Sequence, residues 1–332
     1  MSRRRGSGDL PGPRCLEITK TWTISVATIK TYRSYGTSML LPPLLSPAGI
    51  GSLVAGFSAT HIGLSAVREP LIEGCGNFAT RVGLVGSGLA LPSFWLADTG
   101  GLEVWPDEAT AGRQIYRGAY TAVASALLFP ALAAYPEVRA ADAMGAIDLS
   151  SEQWWAAFAV ASCAQGISIA SLFNPSPLSL VPGFESDGDA LLGLKRDDRL
   201  KLSPAGLTRI TRHPLILPVV PWGFSNTLLA GGHAADFCLF VGLALYSLAG
   251  CKAQDARVEA SAQVGTVFDD GALSSFYRDT SFVPFAAIAD GRQSLRAAIR
   301  EVPKAAIGVG LLSGAAIEWA TLQWIGIAPP GV

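Results

Sequence analysis

The chain has 332 residues, half of them hydrophobic and only 15% charged, with a net charge of -1 at neutral pH. Together with a mean hydropathy of +0.36, that balance predicts an all-α, polytopic membrane helix bundle rather than a water-exposed globular domain. The near-zero charge excludes a bulk electrostatic case for nucleic acid as a partner.

In chain order, residues 1–44 read as a basic tail ahead of a membrane domain over residues 45–332. Arg3, Arg4, Arg5, Arg14, Lys20, Lys30 and Arg33 lie among Ser, Thr and Gly with few acids. Such a tail fits the remnant of an organelle transit peptide, or an arm on a membrane or partner surface. It lacks the apolar core and small-residue cleavage site of a secretory signal. It also holds too little apolar surface to fold alone, so a partner or anionic lipid is expected to order it.

Runs of about 15–23 apolar residues, near the length that crosses a bilayer, place about six or seven spans. They fall at residues 47–67, 79–97, 119–135, 154–173, 215–230, 237–250 and 305–327. Ser46-Pro47 and Ser203-Pro204 have the form of helix starts, serine capping and proline at the first position. Arg81 and Pro92 interrupt the second run, which makes it a candidate for a re-entrant or interfacial segment. Gly310 and Gly314 give the last span a small-xxx-small face that lets helices approach closely. Gln165, Glu318 and Gln323 are polar groups in or near spans, where contact with a partner or a functional role is the default expectation. The five cysteines (Cys15, Cys75, Cys163, Cys238 and Cys251) have no metal-binding spacing.

With seven spans, the N-terminus, the 174–214 loop and the 251–304 segment share one side. These segments carry most of the Lys and Arg, so that side is expected to face the cytosol or its plastid equivalent. An added span relative to related chains would flip this assignment.

Three segments carry the most specific signal: His61-Ile-Gly-Leu-Ser-Ala-Val-Arg68, Arg209-Ile-Thr-Arg-His-Pro214, and the ungapped run at residues 280–293, Thr-Ser-Phe-Val-Pro-Phe-Ala-Ala-Ile-Ala-Asp-Gly-Arg-Gln. In this order they resemble the NnrU family, and within it the plant and algal zeta-carotene isomerases. The resemblance runs from about residue 61 to 307 and is poor between about 76 and 112. It implies a membrane helix bundle in a plastid, and for active isomerases a haem b held by two histidines. One is the histidine of the first segment, here His61. The other corresponds to the fifth residue of Trp222-Gly-Phe-Ser-Asn, where this chain has Asn226, and a redox-active cysteine corresponds to Gly223. Asparagine is a poor iron ligand and glycine has no side chain, so the implied chemistry loses its second ligand. Restoring a histidine at position 226 is expected to raise haem affinity.

Helix geometry bears on the remaining pairing. His61 lies roughly 21 Å along a helix that begins at Pro47, at 1.5 Å per residue. His213 lies just before its own span, and two ligands of one iron must fall within about 4 Å along that axis. If both spans start from the same side, His213 is excluded and Asn226 matches the depth of His61.

The candidate cofactor-binding residues are therefore His61, Asn226, Arg212 and His213, with His61 the one metal ligand. His61 reads either as a hydrogen-bonded core histidine or as a ligand to haem iron or chlorophyll magnesium. Arg212-His213-Pro214 also resembles membrane isoprenylcysteine-type methyltransferases, but a structural role at the interface fits it as well. His233 reads as a solvated loop residue. Three functions are weighed. The first is a non-enzymatic thylakoid subunit associated with a larger photosynthetic complex and contacting chlorophyll, carotenoid or lipid. The second is an active haem b-dependent zeta-carotene isomerase, and the third an SAM-dependent membrane methyltransferase.

Overall fold

The structure, a computed structural model, describes residues 45–88, 90–92, 102–105, 107–142, 147–174, 176–178, 183–186, 194–197, 202–261, 263–264, 267–268, 271–302 and 304–331. The predicted basic tail lies outside these residues. The helices are α1 (Pro47–Ala66), α2 (Arg68–Arg81), α3 (Glu108–Ala141), α4 (Ser151–Ser171), α5 (Val219–Leu229), α6 (Ala234–Ser261), α7 (Ala272–Asp279), α8 (Ala286–Ala289), α9 (Leu295–Glu301) and α10 (Lys304–Ile325). A π turn at Phe237–Val241 lies within α6. Three two-stranded antiparallel ladders sit between helices, and the apolar pattern did not foretell them. They are β1–β2 (Ala90–Pro92 with Leu102–Val104), β3–β4 (Gly183–Ser186 with Leu194–Asp197) and β5–β6 (Gln263–Val264 with Val267–Phe268).

Local chemistry sets the helix starts. Ser46 Oγ accepts the Gly49 N–H at 3.0 Å with Pro47 in the first turn, as expected. Asp107 caps α3 and Ser150 forms a capping box with Gln153 at α4. Ser203-Pro204 starts no α-helix; a short 3-10 turn at Gly206–Arg209 follows it instead, capped at Ala205.

Among the described residues, three helices are long and apolar enough to cross a membrane: α3, α6 and α10. The pair α1 and α2, bent by 77°, makes a fourth if it is one broken span. This is fewer than the expected six or seven. The run at 79–97 supplies no helix among its described residues: α2 ends at Arg81, and Gly83, Gly86 and Gly88 then take left-handed φ values of 73°, 70° and 73°. Such φ values suit glycine and break a helix. Along 215–230 the helix covers only Val219–Leu229, after Pro214 and Pro218. On α4, Gln153, Ser162, Gln165 and Ser168 dilute the apolar run.

Because 79–97 does not cross, the direction of every later helix changes relative to the sequence expectation. Val54 meets Gly242 and Phe57 meets Tyr246, so α1 and α6 run parallel. Tyr120 meets His61 while Leu127 meets Gly56, so α3 is antiparallel to α1. Gly223 on α5 packs on Phe240 and Ala244 with the two helices antiparallel. The start of α1 therefore lies at the end of the bundle where Ala230 and Ala235 sit, since Ile50 shares their core cluster. The 206–214 segment lies at the other end, with His213 against Asp255 near the end of α6. The expectation that α1 starts on the side of the 174–214 loop is corrected: it starts on the opposite side.

The predicted close-approach face is real and internal. An added Cβ at Gly314 would lie 2.6 Å from Gly166 N, and one at Gly166 would lie 2.9 Å from Gly310 O. Gly310 and Gly314 thus join α10 to α4 rather than offering a face to another protein. Replacing Gly314 by leucine must push these backbones apart, costing about 1–3 kcal/mol or more. Gly308, six residues earlier on the same helix, has nothing within 4 Å of an added Cβ. Thermal unfolding in detergent is expected to show a lowered midpoint for Gly314→Leu and a near-parental one for Gly308→Leu.

Candidate functional site

At the end of α1 where the chain bends into α2, a cavity of about 450 Å³ opens between α1, α2, α3 and α6. Phe57, Tyr120 and Tyr246 surround the His61 ring with centroids 5.1, 4.3 and 5.5 Å away. The Tyr116 hydroxyl donates to Leu64 O at 3.0 Å, which holds the last turns of α1 on α3. His61 Nδ1 is buried and has no hydrogen-bond partner. His61 is the one imidazole lining this cavity, beside Arg68, Arg113, Arg117 and Arg257.

Asn226 lies elsewhere. It is fully buried on α5, and its amide nitrogen donates to Trp222 O at 3.1 Å and to Glu318 Oε2 at 3.2 Å. Trp222 Nε1 donates to the same carboxylate oxygen at 3.0 Å. Glu318, also fully buried, thus finds its donors within the chain rather than on a partner. The depth match between Asn226 and His61 does not hold. Gly223 packs at the level of Phe240, and His61 at that of Tyr246, six residues or roughly 9 Å further along α6. Asn226 lies another turn away from His61. The reason is the reversed direction of α5: its beginning, not its end, approaches the His61 level.

His213 is accordingly at the His61 end, but it is engaged. Its Nε2 lies 2.8 Å from Asp255 Oδ1, which places the ring proton on Nε2. Arg212 Nη1 is 3.6 Å from Asp255 Oδ2, and the guanidinium covers the Tyr277 ring at 4.5 Å. The Tyr277 hydroxyl donates to Asp255 at 3.2 Å. Burial, and then the Asp255 carboxylate, push that hydroxyl well above its ordinary range, so it remains a donor. Arg212 and His213 therefore satisfy a buried carboxylate, a structural task. His233 is half-buried at the other end of the bundle and its N–H donates to Asp236 at 2.7 Å. Among the described residues no group of three His, Cys, Asp or Glu side chains could hold a metal ion.

The run at residues 280–293 folds over the 209–213 segment. Arg212 N donates to Ser281 O at 3.0 Å, Thr211 Oγ1 to Phe282 O at 2.9 Å, and Phe285 N to Ile210 O at 2.9 Å. Arg209 clamps Glu301 with two bonds of 2.7 and 2.9 Å and reaches Gln293 at 2.6 Å. Its hydrogen bonds hold the Glu301 carboxyl below its ordinary range. Asp255, Tyr277, Glu301 and the four cavity arginines escaped the sequence reading. The available signal was an ionisable residue on or beside an apolar helix.

Two outcomes follow. Asp255→Ala leaves Arg212 and His213 buried without their acceptor and should cost about 3–5 kcal/mol, read as a lower unfolding midpoint in detergent. The depressed Glu301 carboxyl contributes stability above the ordinary glutamate value of about 4.3, lost as pH falls through its lower folded value. Glu301→Gln should therefore unfold earlier than the parent at neutral pH, with the gap closing on acidification.

A family model described as "NnrU protein" matches residues 88–329, more than two thirds of the chain. That span holds Arg212, His213, Asn226 and the 280–293 run but not His61. A curated protein, "15-cis-zeta-carotene isomerase, chloroplastic" from Zea mays, is 36% identical over 97 residues. The match covers 29% of this chain and 24% of that protein, so the chain spans about a quarter of the length of this relative. No solved structure matches. Two of the three motifs that carried the resemblance, at 209–214 and 280–293, lie inside the matched span, and the match covers most of the chain: this chain belongs to the NnrU family.

Proposed function

We propose that this chain is a non-enzymatic membrane scaffold that keeps an isomerase-type helix bundle without the means to grip haem by two histidines. One observation carries the reading: Asn226, at the position that the resemblance assigns to the second ligand, is sealed against Glu318 and Trp222 and does not line the His61 cavity. The buried, unpartnered Nδ1 of His61, inside the cavity, suits a metal-bearing ring; His233 Nδ1 is likewise buried and unpartnered, but at the other end of the bundle. With His213 bound to Asp255, no second imidazole among the described residues is free to face it. These residues do not fit a haem held from both sides.

The same proposal places the chain in a plastid membrane, the thylakoid, as a subunit associated with a larger pigment-bearing complex and contacting pigment or lipid. Support for this part is the family resemblance and the chloroplastic relative. The Gly310, Gly314 and Glu318 face of the last helix is not the docking face, because it is used internally. A runner-up is favoured by that relative's name, a haem-dependent isomerisation of 15-cis-zeta-carotene.

The test is a reduced-minus-oxidised spectrum of the purified chain, alongside conversion of tri-cis-zeta-carotene in bacteria kept in the dark. The scaffold reading expects no bis-histidine haem spectrum and conversion no greater than in the empty host. Asn226→His should not create such a spectrum, since position 226 and His61 lie at different depths. A low-spin haem spectrum abolished by His61→Ala, with conversion well above the host, would establish the isomerase instead.

A further inference from the structure

The cavity beside His61 has a charge pattern that neither the proposed scaffold role nor the family chemistry explains. Four guanidinium groups line it, those of Arg68, Arg113, Arg117 and Arg257, and no Asp or Glu is among its lining residues. Arg68 is paired at 2.9 Å with Glu69, whose side chain is 63% exposed and is not among the lining residues. Arg113 donates to the Thr110 hydroxyl at 3.1 Å and lies near the Asp107 carboxylate, which is not among the lining residues. Arg257 has its Nε buried with no acceptor. Like charges crowded at an apolar boundary repel one another unless an anion sits among them.

The walls say what kind of anion. Below the arginines the cavity turns aromatic and aliphatic, with Tyr120, Tyr246, Ile62 and Ile216. Ile216 is itself 39% exposed, so the apolar part reaches the outside of the bundle. Above them, α2 leaves α1 at 77° and carries exposed Leu71 and Phe78 next to exposed Glu73 and Arg81. That mixture suits a helix lying in a membrane interface, at headgroup level. At the same end of the bundle lie Arg209, Arg212, Arg278 and Arg292, the enrichment in positive residues expected beside an anionic leaflet.

We infer that this cavity is a binding site for one anionic lipid, its phosphate or sulfonate headgroup clamped by Arg113 and Arg257 and its chain laid along Tyr120, Tyr246 and Ile216. Guanidinium forks match a tetrahedral oxyanion by paired hydrogen bonds, which an ammonium group cannot reproduce. The volume of about 450 Å³ accommodates the headgroup and the first part of a chain, with the remainder in the bilayer.

The test uses the full chain in neutral detergent, titrated with short-chain phosphatidylglycerol, short-chain phosphatidylcholine and inorganic phosphate, and read by native mass spectrometry and thermal shift. Retention of one phosphatidylglycerol, at least about tenfold tighter than either of the others, is expected. The Arg113→Gln, Arg257→Gln double variant should lose that preference. Arg257→Lys keeps the charge and should still weaken it, whereas the exposed Arg278→Gln should not. Equal binding of phosphatidylcholine would overturn the site's anion selectivity, and equal binding of inorganic phosphate would reduce it to a free-phosphate site and overturn the lipid. Binding unchanged in both cavity variants would overturn it entirely.

Discussion

Burying a carboxylate among apolar helices is the constraint from which the rest of this bundle follows. A carboxylate taken out of water costs several kcal/mol unless donors reach it, and three of them are buried here. Glu318 on α10 draws on Trp222 and Asn226 of α5. Asp255 near the end of α6 draws on His213, Arg212 and Tyr277. Asp236 at the start of α6 takes the Tyr135 hydroxyl at 2.6 Å and lies 3.5 Å from Arg139, both on α3. A hydrophobic face tolerates sliding by a turn, because one leucine replaces another, whereas a buried acid does not. These three groups fix the register of α3, α5, α6 and α10. The glycine contact of α10 with α4 then fixes a fifth helix. Apart from these, α1 is held by the Tyr116 hydroxyl of α3 and by the close approach of Val54 to Gly242 of α6, and it borders the cavity.

The most recognisable stretch of the chain has a backbone reason for its specificity. Phe285 takes a φ of 66°, which a bulky residue adopts only when its surroundings impose it. The imposition comes from Phe285 N on Ile210 O and from the Ser281 hydroxyl, which accepts Ala287 N at 3.0 Å. Arg292 adds two bonds, to Arg278 O at 2.6 Å and Thr280 O at 2.9 Å. The 209–214 and 280–293 segments are therefore one folded object, each supplying the other's hydrogen-bond partners. A resemblance concentrated there reports an architecture kept intact and carries no information about an active centre.

That distinction explains what was legible in the sequence. Apolar runs and caps located the helices at 47–66, 151–171 and 304–325 to within a few residues, because length and capping chemistry are local. The stretch 79–97 misled because its composition is apolar while its glycines turn the backbone; hydropathy does not register φ. One span too many then inverted the assumed direction of α5, and the depth comparison of His61 with His213 and Asn226 failed with it. Glu318 was legible as an acid needing a partner. Its donors, Trp222 and Asn226, were not, since they lie more than ninety residues away in the chain. Asp255 was hidden for the same reason: nothing local says that a residue near the end of an apolar helix will meet His213, 42 residues earlier.

Asn226 ties these strands together. Its amide fills a hydrogen-bonding role for Glu318 that needs a donor and tolerates no charge of its own sign nearby. An asparagine there is consistent with a bundle whose stability depends on that acid being satisfied. The two polar centres are in fact separated: one sealed between α5 and α10, the other open between α1, α3 and α6. In the sealed one, Glu318 Oε2 takes both its donors from inside the chain, while Glu318 Oε1 and Asn226 Oδ1 stay buried without a partner. The open one is lined by four arginines and by no Asp or Glu, the pattern on which the proposed anion site rests. The proposed binding site thus lies where α1 bends, beside His61 and away from Asn226, the other position that the family resemblance singles out.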